Sequence, residues 1–403
     1  MPLEEAQLRI LNEVQQLGPQ QIKAICGLGL IFASDIISEN AVPDFDNSGM
    51  DGYAVIASDL TKASVENPVH LREIGQIPAG TCPEFELKSG TTARIMTGAP
   101  LPPGADAVVP IEEIETDGNG VIFVRAVSQG ENIRPLGNDI FRGELLYKAG
   151  QIIYPPDIGV LISIGKNEID VHRKPRIGVL STGEEITGMA NSRSRGKIYD
   201  TNRPTLLSFL DYYHFAVTDL NTVADDPDAI GEILHRVADL DVLITTGGVS
   251  AGDYDYIPRV VRKLGGEIIF HRVKIKPGMP FMFARLGKTF IFGLPGNPQA
   301  VVVGFYMFVL PALRKMSGFK GPLLLEKLFG IMAGTARNSG YRPHFLPAKM
   351  EKVLDKFYIH PSKKVSSGAL SGYAGADCMV IIPQKSKVKK GDEVQYIPMY
   401  YSN

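Results

Sequence analysis

The chain has 403 residues, which is more than one compact core usually holds and favours two to three domains. Apolar residues make up 44% of it and charged residues 21%, close to globular averages, which excludes a disordered chain and a coiled coil. The formal net charge of −2 excludes bulk attraction to nucleic acid or acidic membranes, so we expect neither as a partner. Its 42 glycines and 28 prolines indicate many tight turns between short elements.

Cysteine and histidine spacing argues against a metal or disulfide scaffold. Cys26, Cys82 and Cys378 lie far apart without a CxxC pair, which is typical of a reduced cytoplasmic protein. The seven histidines form no HxxxH pair. The N-terminus is acidic where a signal peptide would be basic. The longest uncharged apolar run, 298–313, contains Pro311 and is too short to span a bilayer, so it predicts a buried helix.

The first 170 residues change from a helical to a β-type pattern. Residues 1–25 predict one amphipathic helix, because apolar side chains recur near helical spacing. From about residue 41 the chain breaks into short β-type runs separated by glycine and proline, which predicts an all-β or α+β region. The clearest of these runs are 69–74, 91–96, 107–110 and 121–127.

The segment 174–317 alternates strands with helices, which predicts a doubly wound parallel sheet. Asp226-Pro227 and Asn297-Pro298 each place a capping side chain before a proline at the first helical position. We expect two further helices, one capped near Asn202 and one over 254–264. The predicted strands are 176–180, 216–220, 241–246 and 289–293. The tail from about 321 returns to a β-type pattern and predicts a small C-terminal β domain.

Three of the predicted strands end in loops of glycine and small polar residues. In an open α/β sheet, ligands bind outside the carboxyl ends of the strands. Bare backbone N–H groups ahead of a helix favour an anion there. Each loop alone is more simply a tight turn, but three at one edge favour a phosphate-like ligand. The loop residues are Ser181, Thr182 and Gly183, then Gly247, Gly248 and Ser250, and finally Pro295, Gly296, Asn297 and Pro298.

Several acidic side chains and one lysine accompany these loops. Carboxylates beside a phosphate pocket usually hold a hard cation such as Mg²⁺. Asp225 could instead serve the helix start, a role we give mostly to Asp226. Lys276 lies on a turn stiffened by proline and glycine, which suits contact with an anion, although an exposed surface lysine is the equally ordinary alternative. The candidate acids are Glu185, Asp200, Asp225 and Asp255.

The second loop also satisfies GxSxG, the pattern around the nucleophile of serine hydrolases. Ser250 would be the nucleophile, and a later histidine would be needed as the base. The additional Gly247 and the acids that follow suit a phosphate loop better, and no HGGG-type oxyanion loop precedes them. A hydrolase therefore stays as a minor alternative, with His271, His344 and His360 as candidate bases.

Eight motifs occur in order along nearly the whole chain: FDNSGMDGYAV, RIMTGAPLPPGADAVV, ENIRPLGNDI, STGEEI, IYDTNR, TTGGVSAGDYDY, KIKPG and GLPGNP. Together they closely resemble the MoeA family, the molybdopterin molybdenumtransferases that include the plant and gephyrin E domains. The resemblance implies an elongated four-domain subunit in a homodimer. The implied units are a segmented N-terminal domain over 1–43 plus 138–172, a β-rich inserted domain over 44–137, an α/β molybdopterin-binding domain over 173–318 and a C-terminal β domain over 321–403.

The resemblance also implies a reaction, which is insertion of molybdate into adenylylated molybdopterin with a divalent cation and release of AMP. A second enzyme would supply the adenylylated molybdopterin. In the family, the active site lies between the α/β domain of one subunit and the β insertion of the other. The positions that match the family's catalytic residues are Asp51, Thr97, Asp139, Glu185, Asp225 and Asp255, of which the last three would bind the metal. Those that match its binding residues include Lys276, Pro295, Pro298, Arg342 and either Ser367 or Ser371.

Two positions depart from the pattern of plant and many bacterial relatives. Met279 stands where those relatives have a lysine, and Ala300 where they have a serine. Both positions resemble part of the family's molybdate pocket, so losing a cation and a hydroxyl weakens anion capture there. Arg272 or Lys274 could compensate, and the choice of molybdate over tungstate stays open. The departures also motivate a second hypothesis, a non-catalytic pterin-binding or scaffold protein on the same fold.

Overall fold

A computed structural model describes residues 1–117, 120–187, 195–249, 256–366 and 368–400. The described chain forms four regions with separate sheets, each with a hydrophobic cluster of its own, and the largest cluster joins three of these regions. They follow the predicted order of an N-terminal helical and β region, a β-rich insertion, an α/β sheet with helices on both faces, and a C-terminal β barrel.

The N-terminal region combines the two ends of a stretch that is interrupted by the insertion. Strand Pro19–Lys23 pairs antiparallel with Glu168–His172, more than 140 residues later. The prediction of one helix over 1–25 is wrong, because the helix spans only Leu3–Glu13 and is followed by extended backbone at Val14. Gly18-Pro19 explains the difference, since a residue before proline disfavours helix and proline cannot donate inside one. The region also contains helix Pro155–Ser163 and the paired strands Ile36–Ile37 and Leu145–Tyr147.

The insertion is built on a six-stranded sheet with a hydrophobic cluster on each side. All four of the β-type runs predicted here are strands. A short antiparallel pair, Asn47–Ser48 with Ile133–Arg134, lies beside the sheet. In spatial order the six strands are Ala107–Pro110, Gly52–Val55, Thr91–Ile95, Val69–Ile77, Val121–Phe123 and Ile114–Thr116.

The α/β region is doubly wound, as predicted, around a six-stranded sheet. Its first four strands are parallel and correspond to the four predicted ones. The last two, which the sequence reasoning missed, add an antiparallel strand and then a strand antiparallel to it. In spatial order the strands are Val217–Val223, Ile177–Thr182, Val242–Thr246, Thr289–Leu294, Met282–Leu286 and Glu267–His271.

Helices cover both faces of this sheet, and their starts follow the capping signals. Asp226 Oδ1 accepts from the backbone N–H groups of Asp228 (2.9 Å) and Ala229 (2.8 Å), which confirms the predicted cap. The helix predicted over 254–264 begins later, at Ile257, and its predicted first residues fall outside the described chain. The helices are Asn202–Tyr212, Pro227–Arg236, Ile257–Lys263 and Pro298–Gly304.

The last of these helices continues through a π-helical turn, Phe305–Val309, into Leu310–Met316. By length and composition Pro298–Met316 could cross a membrane, but 89% of its most apolar window is buried inside the protein, as expected for a core helix. It is the centre of the largest hydrophobic cluster, which also takes Leu3 and Ile10 of the first helix. This agrees with the predicted buried helix.

The C-terminal region closes into a five-stranded barrel with its own core. The sequence predicts a β domain here, but it does not predict closure. Closure leaves the barrel strands without free edges. In spatial order the barrel strands are Leu328–Met332, Lys356–Pro361, His344–Val353, Cys378–Ile382 and Glu393–Pro398, and Ala336–Asn338 pairs with Ser386–Val388 outside them.

Candidate functional site at the carboxyl edge of the sheet

The three glycine-containing loops meet at the carboxyl ends of adjacent parallel strands. Gly247 has φ +90°, and a Cβ added to it would lie 2.3 Å from the carbonyl oxygen of Thr182. A Cβ added to Gly296 would lie 3.7 Å from the Cα of Gly247. Glycine is therefore required at position 247 both for its backbone conformation and for the close approach of the first two loops.

Hydrogen bonds from Asn202 connect the third loop to the end of the neighbouring strand. Its Nδ2 donates to Thr246 Oγ1 (2.9 Å) and to the carbonyl oxygen of Gly296 (2.8 Å). Asn202 was expected only as a helix cap, yet it is the first residue of its helix and its side chain acts across 94 residues of sequence. The contact fixes the position of the loop that carries Pro295 and Asn297.

Buried polar atoms without partners gather at this edge. Apart from Thr182 Oγ1 and Asp225 Oδ1, whose side chains interact with each other, five such atoms of the described residues have no hydrogen-bond partner. Every one of the five belongs to a strand end, a loop or a helix start beside the loops. Buried polar groups are normally satisfied by protein, water or ligand. This cluster therefore favours a polar ligand or ordered water at the carboxyl edge. The atoms are Ser181 Oγ, Thr245 Oγ1, Asn202 Oδ1, Asn297 Oδ1 and Gln299 Oε1.

Glu185 and Asp225 lie together on the same edge. Burial raises the pKa of the Asp225 carboxyl, the backbone N–H of Glu184 lowers it, and the charge of Glu185 raises it further. The N–H of Glu184 donates to Asp225 Oδ2 at 3.3 Å. Lys197 lines the same shallow pocket and donates to the carbonyl oxygen of Glu184. Glu185 and Asp225 are thus two neighbouring carboxylates, a donor set that a cation would stabilise.

The third predicted metal ligand, Asp255, lies outside the described residues, as does Ser250. Over the described ranges, no group of three or more histidine, cysteine, aspartate or glutamate side chains is arranged to hold a metal ion. Asp200, another of the candidate acids, has a structural role. Its carboxylate accepts from Arg203 Nε (3.1 Å) and from Thr222 Oγ1 (3.1 Å), so it forms an ion pair beneath the edge.

Lys276 and Arg342 come together across the boundary between the α/β sheet and the barrel. The N–H of Lys276 donates to the carbonyl oxygen of Pro343 (3.0 Å), and the N–H of Phe345 donates to that of Lys276 (2.8 Å). Arg342 Nη1 donates to the carbonyl oxygen of Ile275 at 3.2 Å. The two cations therefore flank one turn.

The His344 ring lies close to both cations, and their charges act on it. Burial, followed by the positive charges of Lys276 and then Arg342, lowers the pKa of the His344 ring to about 4. The ring is therefore neutral at neutral pH. Sequence reasoning considered His344 only as a hydrolase base, and no local pattern around it indicates the two cations.

The two departures from the family pattern lie beside this cationic turn. A Cβ added to Gly278 would lie 3.8 Å from both the Cβ and the carbonyl oxygen of Ala300. Ala300 is buried, whereas the neighbouring Met279 is 38% exposed. Gly278 of the KPG turn thus packs on the start of the helix that follows GLPGNP, close to Ala300.

Gln299 attaches a loop of the C-terminal region to the same helix start. Its Nε2 donates to the carbonyl oxygens of Lys364 (3.1 Å) and Ala369 (3.0 Å). Ser371 follows on this loop and is exposed, while Ser367 lies outside the described residues. Gln299 was not singled out from the sequence, although its place directly after GLPGNP was an available signal.

Two exposed candidate residues of the β insertion, Asp51 and Thr97, contact each other, and a third candidate, Asp139, follows the insertion. Asp51 Oδ1 accepts from both the backbone N–H (2.7 Å) and the hydroxyl (2.6 Å) of Thr97. These two bonds are the main reason that the pKa of the Asp51 carboxyl is lowered. Asp139 is also exposed, and its backbone N–H donates to the carbonyl oxygen of Val42. Within one chain, no described contact joins these residues to the loops of the α/β sheet.

The three histidines considered for a hydrolase lie in different surroundings. His271 Nε2 lies 2.7 Å from the carbonyl oxygen of Val249, so that nitrogen donates to backbone. His360 pairs with Glu351 on the barrel (2.8 Å), and His344 lies beside Lys276. With Ser250 outside the described residues, the structure assembles no nucleophile and base from the part of the chain that it describes.

The fold and this edge of the sheet define the class of protein: a multidomain α/β protein with a polar, glycine-lined candidate site at the carboxyl ends of a doubly wound sheet. Three family models match the chain. They are described as the MoeA N-terminal region (domain I and II), over 1–165, a probable molybdopterin binding domain, over 178–315, and the MoeA C-terminal region (domain IV), over 330–399. The chain belongs to the MoeA family.

Similar proteins agree over nearly the full length. A molybdopterin molybdenumtransferase of Staphylococcus aureus strain MSSA476 is 33% identical over 98% of this chain and 95% of its own. A protein of the same description from a Nostoc species is 35% identical over 93% of this chain and 88% of its own. The crystal structure of a molybdopterin biosynthesis MoeA protein from Pyrococcus horikosii superposes with a TM-score of 0.84 at 31% identity, covering 100% of both chains.

Proposed function

We propose that this chain is a molybdopterin molybdenumtransferase, which inserts molybdate into adenylylated molybdopterin and releases AMP during molybdenum cofactor synthesis in the cytoplasm. The observation that carries the proposal is the convergence of three loops at the carboxyl edge of the sheet, where five buried polar atoms of the described chain have no partner. Membership of the MoeA family supports the same reaction.

In this proposal the loops bind the phosphate groups of the nucleotide. Ser181, Thr182 and Gly183 lie at the end of one strand, and Gly247 with Gly248 at the end of the next. The left-handed backbone at these two glycines (φ +90° and +63°) forms a turn next to Thr182 that suits an anion. The third loop would add Pro295, Gly296, Asn297 and Pro298, and Ser250 would extend the second.

Glu185 and Asp225, together with Asp255, would hold a divalent cation such as Mg²⁺. The arrangement of the first two fits, because each is a carboxylate and their mutual repulsion contributes to the raised pKa of Asp225. When bound, the cation would neutralise oxygens of the phosphoanhydride and so favour departure of AMP. The chain's own contribution is to keep Asp225 half-buried and oriented by the N–H of Glu184.

Lys276 and Arg342 would attract the molybdate oxyanion, with Ser371 or Ser367 as a hydroxyl donor. Both cations flank one turn, and His344 close to both stays neutral, so it adds no third positive charge. Met279 and Ala300 leave this place with one cation and one hydroxyl fewer than many relatives have. We therefore expect the site to bind molybdate weakly but to keep its specificity for tetrahedral oxyanions.

Asp51, Thr97 and Asp139 would complete the site from the second subunit of a homodimer. They are exposed, and Asp51 is ordered by Thr97 without any contact to the candidate site of its own chain among the described residues. Co-expression of an Asp51→Ala chain with an Asp225→Asn chain tests this, because each mixed dimer would carry one undamaged site. Random pairing should restore about a quarter of the activity. Activity no higher than that of either variant alone would exclude a shared site.

The reaction itself is tested by AMP release and molybdenum cofactor formation from adenylylated molybdopterin, supplied by the enzyme that makes it, with molybdate and tungstate compared side by side. Asp225→Asn should abolish turnover and weaken Mn²⁺ binding measured by electron paramagnetic resonance. The matched control is Asp228→Asn, an exposed acid three residues away on the same helix start. Equal loss in both variants would contradict the role of Asp225.

A second candidate function is a pterin-binding scaffold without turnover. The observation that favours it is that Gly278, the residue before Met279, lies close to Ala300, so both changed positions belong to the proposed oxyanion pocket. Retained binding of the pterin nucleotide with no AMP release by a well-folded chain would support it. Turnover with either oxyanion would exclude it.

A further inference from the structure

A cavity of about 560 Å³ lies at the opposite edge of the α/β sheet from the loops described above. Lys174 precedes the strand Ile177–Thr182, and Phe215 precedes the strand Val217–Val223, so both mark the amino ends of parallel strands. The cavity is closed by the N-terminal region, through residues 28–31 and 152–155, and by the end of the long helix. Its volume falls within the roughly 300–1,000 Å³ that is typical of small-molecule sites.

The walls are mainly apolar and aromatic, and no acidic residue lines the cavity. Its ionisable nitrogen groups belong to one lysine, one arginine and two histidines. The aromatic lining residues are Tyr154, Tyr212, Tyr213, Phe215 and Phe319. An uncharged ligand would suit the apolar walls. The lysine and the arginine favour a ligand that also carries a negative charge.

Lys174 and Arg314 are half-buried, and neither pairs with a carboxylate among the described residues. Lys174 Nζ donates to the carbonyl oxygen of His214 (2.7 Å) and lies 5.5 Å from the centre of the Phe215 ring. The Arg314 guanidinium lies 5.6 Å from the centre of the Phe319 ring. Burial lowers the pKa of both side chains, which reflects the cost of keeping an uncompensated charge there.

A third polar group lines the same cavity. Ser317, three residues after Arg314 at the end of the long helix, lines the cavity, and its buried Oγ has no hydrogen-bond partner in the described chain. Buried cations and hydroxyls are stable when a hydrogen-bonded anion completes them. The cavity thus combines aromatic walls with two cations and a hydroxyl, which suits a ligand with one negatively charged group.

We propose that this cavity binds a small amphipathic anion, namely an aromatic body that carries a single carboxylate, sulfonate or phosphate, with Lys174 and Arg314 binding the charged group. The site is separate from the candidate transferase site, since the two lie at opposite ends of the parallel strands. The proposal therefore does not depend on the reaction proposed above. The aromatic rings would contact the body of the ligand, while Ser317 Oγ would donate to its head group.

Two matched fluorescent probes test this on the full chain. Anilinonaphthalene sulfonate carries the predicted anion, whereas N-phenyl-1-naphthylamine has the same rings without it. The sulfonate should bind saturably with one site per chain and at least roughly tenfold more tightly than the neutral probe. This comparison requires no variant. Equal binding of the two probes would overturn the proposal.

Substitutions then locate the site. Lys174→Gln and Arg314→Gln should each weaken sulfonate binding roughly tenfold or more and leave the neutral probe unaffected. Arg236→Gln, an exposed arginine on another helix of the same region, is the control and should change neither. Arg314→Lys, which keeps the positive charge, should partly retain sulfonate binding. Unchanged sulfonate binding in both Lys174→Gln and Arg314→Gln would overturn the proposal.

One other occupant of the cavity is a carboxylate from a second copy of the chain. The oligomeric state distinguishes this occupant from a small ligand. If Arg314→Gln or Lys174→Gln dissociates a dimer, and the probe binds only to the monomer, the anion comes from the partner and the small-ligand proposal is wrong. If the oligomeric state is unchanged while probe binding falls, the small-ligand site stands.

Discussion

Neutralising Lys276 or Arg342 should raise the pKa of His344. The ring is buried beside both cations, and burial together with their charges lowers its pKa from 6.5 to about 4. Lys276→Met and Arg342→Met each remove one of the two charges while keeping most of the side-chain volume. Since burial is the larger cause and persists in both variants, we expect each change to raise the pKa by roughly half a pH unit to one pH unit.

The size of the effect follows from the pKa itself. Protonation of a ring whose pKa falls from 6.5 to about 4 is disfavoured by about 3.4 kcal/mol in the folded chain. Between these two values the unfolded chain binds a proton that the folded chain does not. The free energy of unfolding therefore falls as the pH is lowered through this window, by about 2 kcal/mol at pH 5 relative to pH 7.5 from His344 alone.

The assay is a histidine NMR titration of the full chain labelled with ¹³C at the ring Cε1. His344→Gln identifies the resonance by its disappearance and should also weaken the loss of stability towards pH 5. Lys274→Met is the matched control, because this exposed lysine on the same segment is not among the charges that lower the pKa of His344. Titration of His344 near its ordinary pKa, or no change in Lys276→Met and Arg342→Met, would refute the proximity of the two cations.

Three further predictions concern the loops and the β insertion. Gly247→Ala should destabilise the chain by roughly 2–4 kcal/mol in urea unfolding, because its Cβ would lie 2.3 Å from the carbonyl oxygen of Thr182. Gly287→Ala, also at positive φ (+58°) but with nothing within 4 Å, should cost only about 1–2 kcal/mol, and equal losses would contradict the contact. Asn202→Ala removes one buried and one part-buried hydrogen bond, so we expect a loss of about 1–3 kcal/mol. Hydrogen exchange should become faster at Gly247, whose N–H donates to the carbonyl oxygen of Leu294 at the base of the third loop, and unchanged exchange there would refute it. Asp51→Asn keeps an acceptor for both Thr97 bonds while removing the charge, so turnover should fall with no change in the fold, and full activity would exclude a role for the charge.

The sequence pattern correctly predicted those elements that are determined by residues close together in the chain. The Asp226-Pro227 helix start is one example, because the cap and its two N–H donors lie within three residues. The strands Ile177–Thr182, Val242–Thr246 and Thr289–Leu294 are another, since their apolar runs reflect burial on both faces. The predicted N-terminal helix was too long because periodicity continued past Glu13, while Gly18-Pro19 and pairing with Glu168–His172 determined the actual structure.

Contacts between distant segments could not be read from local pattern. The bond from Asn202 to Gly296 spans 94 residues, and the KPG turn meets Pro343 and Phe345 of the barrel. Spacing indicated that the three loops share one edge, but not that Gly247 touches Thr182. The resemblance to MoeA proteins named Lys276 and Arg342, whereas the neutral His344 close to both became visible only in three dimensions.

The most direct test of the account is a single-turnover measurement of AMP release. Adenylylated molybdopterin is bound in equal amount to the chain, and molybdate and Mg²⁺ are then added. We expect about one AMP per chain together with formed molybdenum cofactor, and none with Asp225→Asn. A well-folded chain that binds the nucleotide but releases no AMP with molybdate or tungstate would contradict it.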